Sequence, residues 1–392
     1  MQTTNRLLAL DVMRGITIAG MILVNNPGSW GHIFAPLEHA EWNGLTPTDL
    51  VFPFFMFIMG VSTYFSLKKY DFRFSGKVFW KIARRTIVIF GIGLAIAWFS
   101  LFCRNLFDIG NTTMTFSERL IKGLLPFDHI RILGVMQRLA LSYFGASLIV
   151  LFIDHRKVLY VAGGILFAYL AILLFGNGFA HSDANLINVI DKALFGVDHI
   201  YKETLLDGSV IAFDPEGLLS TLPCLAHVLL GFYVGKIINS LKDNGQRIEK
   251  IFIFGTILLF AGFLLSYGCP INKKVWSVTF VLVTCGLGSL LLALLIWILD
   301  MKGYVRWSHF FETFGINPLF LYVLGAFLSI LFGSIPVIFQ PEIVSLHGFI
   351  YQNLLLSWLP DQLASLAFAI FFVLLNWIFG HILYRKRIFI KI

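Results

Sequence analysis

Residues 39–60 read HAEWNGLTPTDLVFPFFMFIMG, and this stretch decides what the rest of the chain can be. Its second half, from Leu50 onward, is apolar and free of charge, and it extends to residue 67 as a segment long enough to cross a bilayer as a helix. Its first half is polar and rich in rings, with His39, Glu41, Trp42 and Asn43 followed by Asp49 at the head of the apolar run. Upstream, residues 8–26 form another apolar run, so the polar stretch from Asn25 to Thr48 is a loop hung between two membrane spans.

Composition agrees with that reading. Of the 392 residues 58% are hydrophobic and only 13% charged, with 41 Phe. So little polar surface cannot cover a soluble globule. The expected fold is an all-α polytopic membrane helix bundle, because a helix satisfies its own backbone in lipid and no barrel-type alternation is present. About ten transmembrane helices are expected, at 8–26, 47–67, 86–103, 132–153, 158–175, 217–236, 250–268, 276–299, 312–333 and 361–384, in a single domain over 1–392. The first is read as a retained span, since no small-residue cleavage site follows it. With ten spans both termini lie on one side. Placing that side in the cytoplasm puts 21 of the 30 Lys and Arg there, Arg6 and Lys391 among them. The net charge of +8 is thereby topogenic and matches an anionic lipid face, with no reason to invoke nucleic acid. The four cysteines have no metal-ligand spacing and read as small buried hydrophobes, a Cys103–Cys269 pairing being a remote alternative. No metal site is expected.

The long loops, 27–46, 104–131, 176–216 and 334–360, all fall on the outer side, which is where chemistry or recognition is expected. His39 is the residue best suited to take a proton near neutral pH, against the plain alternative of a solvated loop histidine; His32 has the same ambiguity. Asp49 is either a carboxylate that orients a histidine or a helix cap beside Pro47. Asp11 and Arg14 share a helix face and pair with each other, or Arg14 joins Arg84 and Arg85 in a cationic collar for phosphates. Arg131, Gln137 and Arg138 enter the fourth span, where a deep arginine needs a partner, a wet cavity or a ligand. Asp128 and His129 precede it; Asp214 and Glu216 open the sixth span, with capping by Pro215 and Glu216 as the plain reading. Asn272, Lys273, Trp276 and Asn317 stand at span ends, Trp276 most simply as an interfacial belt residue. There is no GxxxxGK[ST], HExxH, GxSxG or GxGxxG, so ATP-driven transport, zinc proteolysis and Rossmann cofactor chemistry lack support.

In order, LLALDVMRGITIAGMILVNN (7–26), EHAEWNGLTPTDLVFPFFMFIMG (38–60), HIRILGVMQRLALSYF (129–144), DPEGLLSTLP (214–223), INKKVWS (271–277) and FGINPLFLY (314–322) resemble the membrane domain of the heparan-α-glucosaminide N-acetyltransferase family and its bacterial relatives. The resemblance spans nearly the whole chain. It implies acetyl transfer from cytoplasmic acetyl-CoA to the amine of a terminal glucosamine or related amino sugar across the membrane, here a bacterial inner membrane. The family's active histidine falls on His39, its VN-motif asparagine on Asn25, and the acid of its TxxDLVFP stretch on Asp49; Arg131 and Arg138 match its RIxGVxQRL stretch. Arg14, Arg84, Arg85, Arg131 and Arg138 are then the expected acetyl-CoA contacts, and Glu38, Trp42, Asn43, Asp128, Asp214 and Glu216 those of the acceptor. His39 serves as general base or as transient acetyl carrier. Two other functions remain open, O-acylation of a glycan hydroxyl and amino-sugar transport. Small-residue pairs such as Gly91/Gly93 and Gly286/Gly288 permit close helix contacts, and a homodimer is left open.

Overall fold

The structure, a computed structural model, describes residues 7–108, 114–205, 208–339 and 342–390; Arg6 and Lys391 lie outside them. Its helices are α1 (Leu8–Val24), α2 (Val51–Lys68), α3 (Gly76–Leu106), α4 (Phe116–Leu124), α5 (Val135–Phe152), α6 (Val158–Phe175), α7 (Leu186–Phe195), α8 (Leu222–Ser240), α9 (Asn244–Leu265), α10 (Val278–Leu295), α11 (His309–Ile316), α12 (Pro318–Ser334), α13 (Leu346–Phe349) and α14 (Asp361–Arg385). Two short antiparallel hairpins, β1 (Lys202–Thr204) with β2 (Val210–Ala212) and β3 (Pro336–Phe339) with β4 (Glu342–Ser345), ornament the loops. Each of the ten expected segments is helical. Among the described residues eight helices are long and apolar enough to cross a membrane, nine if the bent α11–α12 pair is one span. α1, at 17 residues, is about 25 Å long and covers most of a hydrocarbon core of about 30 Å.

Several boundaries differ from expectation for local reasons. α3 starts at Gly76 because Ser75 accepts a hydrogen bond from the Val78 amide, so the basic stretch through Arg85 is helical too. α8 starts at Leu222, after a single 3-10 turn, rather than at residue 217. The expected 312–333 span is broken at Asn317, where α11 and α12 meet at 78°. Pro318 has no N–H to give and drives the residue before it out of the helical region. The buried carboxamide at that break is used: Asn317 donates to the Ile388 carbonyl (2.9 Å) and accepts from the Ile390 amide (2.8 Å), pinning the segment after α14. At the other end of the chain, the first amides of α1 are capped by a distant side chain, Asp300, at 3.1 Å each.

Glycines set the centre of the bundle. A Cβ on Gly60 of α2 would lie 2.2 Å from the Val228 carbonyl oxygen, and one on Gly231 of α8 would lie 2.2 Å from that of Phe57. The two helices therefore touch backbone to backbone. α9 and α10 meet in the same way through Gly255 and Gly286, which commits Gly286 to packing within the chain. Around this centre lies one apolar core that includes Phe57, Phe232, Phe280, Leu292 and Val234, all almost fully buried. The four cysteines are buried and free, as small hydrophobes.

Candidate active site

The loop between α1 and α2 is held open and rigid by its own sequence. Gly44 adopts φ +125°, a conformation that L side chains rarely adopt, and its amide donates to the Ile271 carbonyl at 2.8 Å. Trp42 donates from its indole Nε1 to the Phe179 carbonyl (2.8 Å), stacks on His181 (centroids 4.1 Å, 8°) and meets Phe213 edge-on. Asn43 accepts from the Asn272 carboxamide at 3.2 Å. The WNG motif is thus a three-point tie between this loop, the 176–216 segment and the 270–277 turn.

Asp49 resolves its two sequence readings by serving both, one oxygen for each. Oδ2 accepts from the Ala40 amide (3.1 Å), the Thr46 amide (3.2 Å) and the Thr46 hydroxyl (3.1 Å), closing the start of α2. Oδ1 faces His39 Nδ1 at 2.7 Å. The carboxylate is fully buried, while the His39 side chain is 42% exposed. A carboxylate at Nδ1 favours the tautomer with its proton there, leaving the Nε2 lone pair outward. Lys273 completes the cluster, its Nζ 3.2 Å from Asp49 Oδ1 and 3.0 Å from His39 Nδ1. Burial pushes its ammonium pKa below the ordinary value in spite of the attraction of Asp49 and Glu216.

Lys273 is aimed by a closed turn. Asn272 accepts from the Val275 amide, its own amide donates to Ser277 Oγ, and Trp276 adopts φ 50°, a positive value that is uncommon for a bulky residue. Trp276 is 1% exposed, packed on Phe52 and Phe280 with the Arg138 guanidinium 5.1 Å above its ring. It is therefore no interfacial belt residue; the tight turn folds its ring inward beneath the arginine.

No family model matches the chain. Curated relatives do: it is 27% identical over 385 residues to the mouse heparan-alpha-glucosaminide N-acetyltransferase, covering 82% of this chain and 53% of that protein, and 28% identical over 381 residues to the human one, covering 81% and 52%. The chain is similar to the heparan-alpha-glucosaminide N-acetyltransferases. It spans about half the length of the curated relatives it matches.

A second polar cluster lies on the 213–221 turn. Arg131 grips Asp214 bidentately (Nε 3.0 Å, Nη2 2.5 Å) and reaches Glu216 at 2.5 Å. Asp214 also accepts from the Tyr201 and Glu216 amides and so organises the turn; Pro215 and Glu216, read as capping the sixth span, lie several residues before α8 begins at Leu222, and the Glu216 carboxylate pairs with Arg131 instead. Burial alone would raise the Glu216 pKa, but the charges of Arg131 and Arg138 hold it below the ordinary carboxylate range. Arg138, 1% exposed, donates to Ser220 and the Gly217 carbonyl, and its Nε and Nη1 find no protein partner. Arg131 lines a cavity of about 940 Å³ together with Asp128, Arg104, Lys122, Gln137 and Tyr322. Tyr322, Ile96, Ala97 and Ser100 also belong to an adjoining cavity of about 290 Å³, on whose wall Asn25 lies.

The remaining candidates are spread over the bundle. Arg14 pairs with Asp11 at 2.9 Å and donates to Ser62 at 2.8 Å. Arg85 lies over the Tyr143 ring at 4.8 Å, and Arg84 is on the exposed face of α3. Of the five arginines expected to hold one ligand, Arg131 and Arg138 share the 213–221 turn, whereas Arg14, Arg84 and Arg85 have other surroundings. Glu38 is exposed and contributes its backbone carbonyl to the Thr46 hydroxyl (2.6 Å). His32 faces Asp361 at 3.7 Å with both side chains half-exposed. Among the described residues no hydrogen bond joins Asn25 to His39, and no group of His, Cys, Asp or Glu could hold a metal ion. Sequence reasoning missed three participants. Lys273 was read only as a span-end residue, His181 carried no motif, and Asp191 gave no sign that it would lie fully buried under the Leu218 amide at 2.9 Å.

Proposed function

We propose that this protein transfers an acetyl group from acetyl-CoA, taken up on the Lys- and Arg-rich cytoplasmic side, to the amine of a terminal glucosamine or related amino sugar on the opposite side of a bacterial inner membrane. The observation that carries the reading is His39 Nδ1 at 2.7 Å from the buried Asp49. The similarity to the mouse and human acetyltransferases supports the same reaction class.

Chemically, the acceptor nitrogen attacks the acetyl carbonyl, a C–N bond forms, and the C–S bond to the coenzyme thiol breaks. The amine must lose a proton as it attacks. His39 Nε2 takes it, and the Nδ1–H···Asp49 contact stabilises the imidazolium that results. Asn25, on the wall of the cavity of about 290 Å³, is the proposed donor to the carbonyl oxygen as negative charge builds. In the two-step variant His39 itself carries the acetyl group between donor and amine. Acetyl transfer from radiolabelled acetyl-CoA to glucosamine by the purified protein, run beside His39→Ala, is the test. Label on the sugar nitrogen in the parent alone supports the assignment; equal activity in the variant removes His39 from the mechanism.

A further inference from the structure

His39 Nδ1 has two neighbours of opposite charge at nearly equal range, Asp49 Oδ1 at 2.7 Å and Lys273 Nζ at 3.0 Å. The carboxylate alone would draw the imidazole toward its charged form, and a histidine that is already protonated cannot act as a base. A positive charge at 3.0 Å opposes that gain, because like charges so close repel in a partly desolvated site. We infer that Lys273 is a positioning residue that counterbalances Asp49, keeping His39 in its neutral, proton-accepting form while leaving the Nδ1–H directed at the carboxylate.

Three features outside the titration itself support this role. The turn that presents Lys273 is over-determined: Asn272, Ser277 and a positive-φ Trp276 hold it. The Lys273 amine is paired with Asp49 at 3.2 Å, while its neighbour Lys274 is committed to Glu203. The other charged groups near His39, Glu38 and Glu41 of its own loop, are exposed and screened by solvent. The counterbalance reaches His39 from a turn 234 positions away in sequence.

The inference rests on His39 being the base, so its test reads the imidazole directly. Diethyl pyrocarbonate carbethoxylates neutral imidazole, and the extent of reaction at His39 can be followed by peptide mass spectrometry from pH 5 to 8.5 on the intact, detergent-purified protein. In Lys273→Met the pH at which His39 is half-reactive should rise by about one pH unit, a roughly tenfold change in the proton-binding constant. Lys273→Arg, which keeps the charge, should leave the midpoint near that of the parent. Lys273→Gln replaces the Met variant if the latter does not elute as a monodisperse peak. An unchanged midpoint in the charge-removing variant, or an equal rise in Lys273→Arg, overturns the role. Failure of every protein, parent included, to acetylate glucosamine would strike the proposed reaction alone, since the labelling midpoints are read without turnover.

Discussion

At the scale of single residues, Asp49 is the informative case. A carboxylate that accepts three hydrogen bonds on one oxygen and faces a histidine and a lysine with the other can be removed only with double effect. Asp49→Asn should lower kcat by about 10²- to 10⁴-fold, because the amide favours the wrong imidazole tautomer and no longer stabilises the imidazolium. The check is kcat in the acetyl-transfer assay, with His32→Ala as control, since His32 is half-exposed beside Asp361 and should leave turnover near the parent value. His39 and Asp49 were legible in the sequence as chemistry-bearing types on a polar loop. Their partnership was not, because a ten-residue separation across a loop with a 3-10 turn fixes no distance. Lys273 was less legible still: its placement depends on a turn that Asn272, Ser277 and Trp276's unusual φ make together.

At the scale of elements, hydropathy located all ten apolar segments, since apolar length is what a bilayer selects. What it could not locate were the polar starts, such as residues 76–85 of α3, and the amphipathic outer helices α4 and α7, too short to register as spans. The break at Asn317 was signalled only by Pro318. Packing between α2 and α8 rests on Gly60 and Gly231, two residues the sequence did not single out. Gly231→Ala places a methyl against the Phe57 carbonyl oxygen, so α2 must back away from α8. The expected cost is about 1–3 kcal/mol, seen as a lower thermal midpoint in detergent by fluorescence-detected gel filtration, whereas Gly163→Ala on α6, where a Cβ meets open space, should change little.

At the scale of the whole molecule, the outer loops are bound to the bundle by buried charge, and this makes stability depend on pH. Burial pushes the Asp191 carboxyl up to about 6 from an ordinary 3.8, Asp214 adding to the rise while the Leu218 amide and Arg138 oppose it. A carboxyl raised by folding destabilises when it ionises: the cost is absent below about pH 4, grows up to about 6, and is complete above that. It amounts to about 3 kcal/mol. Asp191→Asn should therefore raise the thermal midpoint at pH 7.5 and leave it nearly unchanged at pH 4, a comparison that thermal melts at the two pH values settle. One further consequence belongs to α3. α3 walls the cavity of about 940 Å³ while most of its apolar length faces away from the bundle, and the His39 loop runs into α2, one half of the glycine-locked α2–α8 pair. The polar loop is thereby anchored to the one pair of helices that cannot slide past each other without driving a carbonyl into a glycine, so its ties to Ile271 and Phe179 are made from a fixed base.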